Sequence, residues 1–181
     1  MTAPVVSAPS DALVDVLLCG SPDRGDDGAA LAAAVVLRST LPPRARMRPV
    51  GQLDVEDLLA VPDAGGVVIV DAATGIAPGA VFALPLDRRI PTVRTRSSHA
   101  LAIPDMVELA ATVRGRPVTG RIVVVGALHS GLGERLSDPV AAAIPRLVRT
   151  VAAAVDAVLA EAGPIDAPGV SPNARRSSAC A

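Results

Sequence analysis

The sequence predicts an α/β protein, a three-layer α/β/α sandwich around a mostly parallel, mixed sheet of about five strands. Short apolar runs, Val14 to Cys19, Val67 to Val70 and Ile122 to Val125, have the pattern of strands covered on both faces. They alternate with segments of helical pattern, which is the signature of a sheet flanked by helices. The chain of 181 residues is long enough for one such domain and too short for a barrel, which needs about 250.

Val14 to Cys19 stops at Gly20, as a buried strand does on reaching a turn. Asp27 to Leu37 reads as a helix, because Ala dominates it and its acidic residues lie where the helix dipole favours them. Arg46 to Val50 is a weaker strand, and Val55 to Ala60 a short helix with Asp54 as its N-cap. Val67 to Val70 is a strand predicted to end at Asp71. Gly79 to Leu84 follows too soon for a crossover helix, so it is expected to run antiparallel to its predecessor or to a neighbour. His99 to Val113 is helical in its second half, with Met106, Leu109, Ala110 and Val113 on one face, Gly115 as the stop and Pro104 interrupting the first half. After the strand Ile122 to Val125, Pro139 to Ala162 forms a long helix with an apolar stripe of Val140, Ile144, Leu147, Val148, Val151, Val155 and Leu159. Pro145 should kink it or mark its start. The domain is expected over 13–162, between a flexible N-terminus at 1–12 and a disordered tail at 163–181, both rich in Pro, Ser and Ala or Gly.

Composition excludes several classes of function. The formal charge is −1, so no basic face is available for nucleic acid or anionic lipid. Phe82 is the only aromatic residue, which removes the stacking platforms of single-strand binders. No run reaches the roughly 18 apolar residues of a membrane span, and Met1 to Ser10 lacks a signal-peptide pattern. Cys19 and Cys180 are poorly placed for a disulfide, as suits a reducing compartment. The expectation is a cytoplasmic protein, monomeric, with no nucleic-acid or membrane partner.

Ligands of open α/β sheets bind beyond the carboxyl ends of the strands, which selects the loop Gly20 to Gly28, containing Asp26 and Asp27, and the strand end at Asp71. Of the two adjacent acids one can cap a helix while the other projects into the crevice. An ionised Asp71 after four apolar residues needs a metal or a cluster of donors. His99 sits in the polar stretch Arg96-Ser97-Ser98-His99, and His129 follows the last apolar strand near the same edge. Two carboxylates and an imidazole suit a borderline divalent ion such as Zn, Ni or Co, with positions left open for water or substrate. Other signatures fail. The glycines at 20, 25 and 28 do not fit G-x-G-x-x-G, Leu128 replaces the first glycine of a G-x-S-x-G elbow around Ser130, and there is no H-E-x-x-H.

Four segments, in this order and spacing, carry a resemblance: Val16-Leu17-Leu18-Cys19-Gly20 followed by Gly25-Asp26-Asp27-Gly28, Val68-Ile69-Val70-Asp71-Ala72, Ser98-His99-Ala100-Leu101, and Val123-Val124-Val125-Gly126. The chain resembles the [NiFe]-hydrogenase maturation endopeptidases over roughly Val14 to Leu159. The resemblance implies that Asp27, Asp71 and His99 are the catalytic, nickel-binding residues. It also implies that the partner is a [NiFe]-hydrogenase large-subunit precursor, which loses a C-terminal peptide and itself supplies the nickel. Ser21 stands where the family carries an asparagine. A non-proteolytic metal-binding accessory module on the same fold is the alternative.

Overall fold

The computed structural model describes residues 14–86 and 102–162. Five strands form one sheet: β1 (Val14–Cys19), β2 (Ala45–Gly51), β3 (Gly66–Ala73), β4 (Val81–Pro85) and β5 (Gly120–Gly126), in spatial order β2-β1-β3-β5-β4. The first four in that order run parallel, and β4 lies antiparallel against β5. The expected termini at 1–12 and 163–181 lie outside the described residues, as does His99.

Four helices cover the two faces: α1 (Ala29–Thr40) and α4 (Asp138–Ala162) on one, α2 (Val55–Leu59) and α3 (Ile103–Arg114) on the other. Strand alternation divides the core accordingly. Val14, Val16, Leu18, Val68, Val70, Ala72, Val123 and Val125 pack on α1 and α4, whereas Leu17, Cys19, Val67, Ile69, Ala73, Ile122 and Val124 pack under α2 and α3. The expected three-layer, mostly parallel sandwich is the fold observed. α1 buries Ala29, Ala30, Ala33, Ala34 and Leu37, a face of mostly small side chains that lets the helix approach the sheet closely.

The element boundaries show where local reading stops. β3 does not end at Asp71 but runs to Ala73, because pairing with β5 continues through Ala73↔Gly126. The acids at 26 and 27 belong to a 3₁₀ turn, Gly25–Gly28, and α1 proper starts at Ala29. Asp54 caps α2 in a reciprocal capping box with Asp57, as its sequence position predicts. α3 opens at Ile103 with Pro104 in its first turn, where a missing N–H costs no helical bond. α4 continues through Pro145. Pro145 and Ala141, whose carbonyl loses its helical partner, both face solvent, so water can satisfy the freed oxygen.

Strand order reverses direction at β1: the chain places β2 on one side of it and then crosses to place β3 on the other. The crevice beyond β1 and β3 is therefore the topological switch point, where open α/β sheets take ligands.

One buried charge lies at the opposite end of β1. Asp15 is fully buried, and its carboxylate accepts from Arg46 Nε at 2.9 Å and Nη2 at 2.8 Å, with Arg48 Nε at 3.6 Å. This fork fixes the pairing of β2 on β1. Replacing Asp15 by Ala leaves a half-buried guanidinium without its partner and should cost about 1–3 kcal/mol, measured as a lower urea midpoint with an unchanged slope.

Candidate active site

β1 ends at Gly20, whose φ of +103° is open to glycine and rarely to other residues. A Cβ there would lie 1.8 Å from the carbonyl oxygen of Asp27. Glycine thus lets the 3₁₀ turn fold back onto the end of β1. In that turn the half-buried Asp27 carboxylate accepts from the Ser21 N–H at 2.8 Å. The position occupied by Ser21 contributes its main chain to this bond.

Asp71 is fully buried in β3, and its Oδ1 accepts from the Ala72 N–H at 2.8 Å. By alternation with Ile69 and Ala73 it faces the α2/α3 layer. In register across the sheet, Asp71 pairs with Val124, and Val124 with Phe82. The single aromatic ring of the chain, 47% exposed, consequently stands on the same face two strands away.

Cys19, the last residue of β1, is a fully buried free thiol. Burial pushes its thiol well above the ordinary range, and Asp71, Asp57 and Asp27 push it further in the same direction. The group is a neutral thiol, not a thiolate nucleophile. Asp27 lies in the turn that follows β1 and Asp71 near the end of β3, the strand paired with β1, so both belong to the carboxyl ends of the switch-point strands. Among the described residues no three His, Cys, Asp or Glu side chains are grouped to hold a metal ion.

Asp26, adjacent to Asp27, does something different. It is fully buried. Its Oδ1 accepts from Ser137 N at 2.6 Å, and its Oδ2 from Leu128 N at 2.8 Å, His129 N at 3.2 Å and Ser137 Oγ at 2.9 Å. The main chain adds Asp26 N to His129 O at 3.1 Å and Gly25 N to Glu134 O at 3.1 Å. Burial works to raise the Asp26 pKa, and the bonds from Ser137, Leu128 and His129 outweigh it and hold the carboxyl below its usual range. Sequence reasoning missed Ser137. The signal was present as a serine just before Asp138-Pro139, the composition of a helix start. His129 lies in this loop with its Nδ1 2.8 Å from Glu134 Oε2.

No protein-family model and no curated protein matches this chain. Among solved structures it is similar to the [NiFe] hydrogenase maturation protease HybD from Thermococcus kodakarensis, at 24% identity and a TM-score of 0.62 over 78% of this chain and 98% of that one. It is also similar to the hydrogenase maturating endopeptidase HybD from E. coli, at 22% identity and a TM-score of 0.67 over 80% and 92%. A third is the maturation protease HycI from Thermococcus kodakarensis KOD1, at 22% identity and a TM-score of 0.60 over 82% and 95%. The fold is that of the hydrogenase maturation proteases. These structures are matched over nearly their whole length, so the switch-point crevice of β1 and β3 belongs to the shared part of the architecture.

The Asp26 bonds have a pH signature. A carboxyl with a folded-state pKa below its unfolded value of about 3.9 contributes stability that is present above that value and is lost as pH falls through the folded pKa. The gap in thermal midpoint between the wild type and Asp26→Asn should therefore be widest near neutrality and shrink on acidification below about pH 4. Melting curves at pH 7 and pH 3 check this, and a gap independent of pH would remove the charge from the account.

Proposed function

We propose that this protein is an endopeptidase that removes a C-terminal peptide from a [NiFe]-hydrogenase large-subunit precursor carrying nickel. What supports the reading is that Asp27 follows β1 and Asp71 lies near the end of β3, the two strands at the switch point of a fold shared with hydrogenase maturation proteases. His99, by its motif position after Ser98, is the third ligand. The metal belongs to the substrate. Oxygen donors from Asp27 and Asp71 are compatible with a borderline divalent ion, and an incomplete protein set leaves room for donors already on the precursor. Nickel so held would polarise the scissile carbonyl and lower the pKa of a bound water.

The chain's own residues orient and select. The Ser21 N–H fixes the Asp27 carboxylate, and the Ala72 N–H fixes that of Asp71. Exposed Phe82, on the Asp71 face, offers an apolar contact for a substrate side chain. Among the described residues no helix is long and apolar enough to cross a membrane.

Asp27→Asn and Asp71→Asn should each reduce processing of nickel-loaded precursor by at least about 10²-fold while circular dichroism remains that of the wild type. Cleavage at the normal rate by either variant would refute the assigned roles. Calorimetric nickel titration of His99→Ala against wild type tests the third ligand, with weaker binding expected. Nickel binding without cleavage of any loaded precursor would favour the accessory-module alternative.

A further inference from the structure

The Asp26 carboxylate takes its hydrogen bonds from the loop between β5 and α4. β1 and β5 are not neighbours in the sheet, because β3 lies between them, so their axes are about 10 Å apart at ordinary strand spacing. The 3₁₀ turn touches β3, and the β5 loop is tied to β3 by Ala127 N to Ala73 O at 2.8 Å. The bonds from Leu128, His129 and Ser137 to Asp26 therefore bridge the end of the strand that carries Asp71. Main-chain links run beside them, from Asp26 N to His129 O, Gly25 N to Glu134 O and Gly133 N to Asp23 O, the last at 2.7 Å. Every partner of the Asp26 carboxylate donates to it.

We propose that Asp26 is a positioning residue: by clamping the turn to the β5–α4 loop across β3, it sets the distance and direction of the Asp27 carboxylate relative to Asp71. The inference rests on the reading of Asp27 and Asp71 as a metal-holding pair. Asp26 touches neither substrate nor metal. Its effect passes through one peptide unit, since consecutive residues of a 3₁₀ turn point about 120° apart. Locking Asp26 toward β5 turns Asp27 back toward Gly20 and Ser21. Carboxylates that orient metal ligands from behind influence affinity and rate by about 10–100-fold. An asparagine cannot substitute, because its amide NH₂ would face N–H donors.

The test compares wild type, Asp26→Asn, Ser137→Ala and Asp27→Asn in two assays: steady-state processing of nickel-loaded precursor, and calorimetric titration of the chain alone with nickel. Asp26→Asn should lose about 10–100-fold in kcat and a similar factor in nickel affinity, with KM for the precursor within about threefold. Ser137→Ala removes only the hydroxyl bond and should lose about two- to tenfold in the same two quantities while keeping a native-like melting curve. It decides the matter if Asp26→Asn fails to fold. Normal kcat and nickel affinity in Ser137→Ala and in any folded Asp26→Asn, beside an inactive Asp27→Asn, would overturn the positioning role and leave the peptidase reading standing. Losses no larger than the unfolded fraction, with no separate change in nickel affinity, would likewise overturn it. Full activity in Asp27→Asn would overturn the peptidase reading itself, and this inference with it.

Discussion

The two loops that frame the candidate site leave strands that never touch, β1 and β5, and the Asp26 carboxylate joins them. Burying an ionised carboxylate costs several kcal/mol unless its lone pairs are satisfied. Asp26 meets that demand with three main-chain N–H groups and one hydroxyl, the kind of set that makes a buried charge favourable and directional. An apolar contact between the same loops would hold them together without fixing their register. Four bonds to two oxygens fix it, and the neighbouring Asp27 inherits the result.

Glycine makes this closure possible from the other side. The left-handed Gly20 leaves room for the Asp27 carbonyl, and at Gly25, with φ +54°, a Cβ would come within 2.9 Å of His129 Nδ1. The turn is consequently pressed against β1 at one end and against the His129 loop at the other. Its two acids divide the available directions: Asp26 takes the interior, and Asp27 takes the crevice. The ambiguity of Asp26-Asp27 as a sequence thus resolves into two roles held by adjacent residues.

How much of this was legible before folding follows from whether the information is local. β1, β3 and β5 stand out because strands covered on both faces must be apolar throughout, and α1 because a run of Ala has few alternatives to helix. Asp54 was legible as a cap for the same reason. Pairing was not. Nothing near Asp71 says that β5 carries the strand on to Ala73, nor near Val81 that β4 runs against β5 and not β3. Asp15 hides in an apolar run, and only Arg46 and Arg48 on β2, 31 residues away in the first case, explain it. Ser137 was missed likewise, since its partner Asp26 is 111 residues distant. Of the three predicted site residues, Asp27 lies in the turn after β1 and Asp71 in β3, while His99 lies outside the described residues.

On the proposed reading, the charge arrangement bears on how a peptidase could prefer a metal-loaded precursor. Cys19 stays protonated, so the end of β1 does not add a third negative charge to those of Asp27 and Asp71. Attraction between one carboxylate and one unit of positive charge at 4 Å is about 4 kcal/mol at an effective dielectric of 20. Two carboxylates facing a divalent ion gain a multiple of that before desolvation is subtracted. Preferring loaded over empty precursor by 100-fold needs only about 2.7 kcal/mol. Discrimination therefore requires no dedicated recognition of the mature cluster. On the proposed reading it requires only that the two carboxylates be held in place, which puts the weight on the rigidity of the Asp27 turn and not on the number of reactive groups.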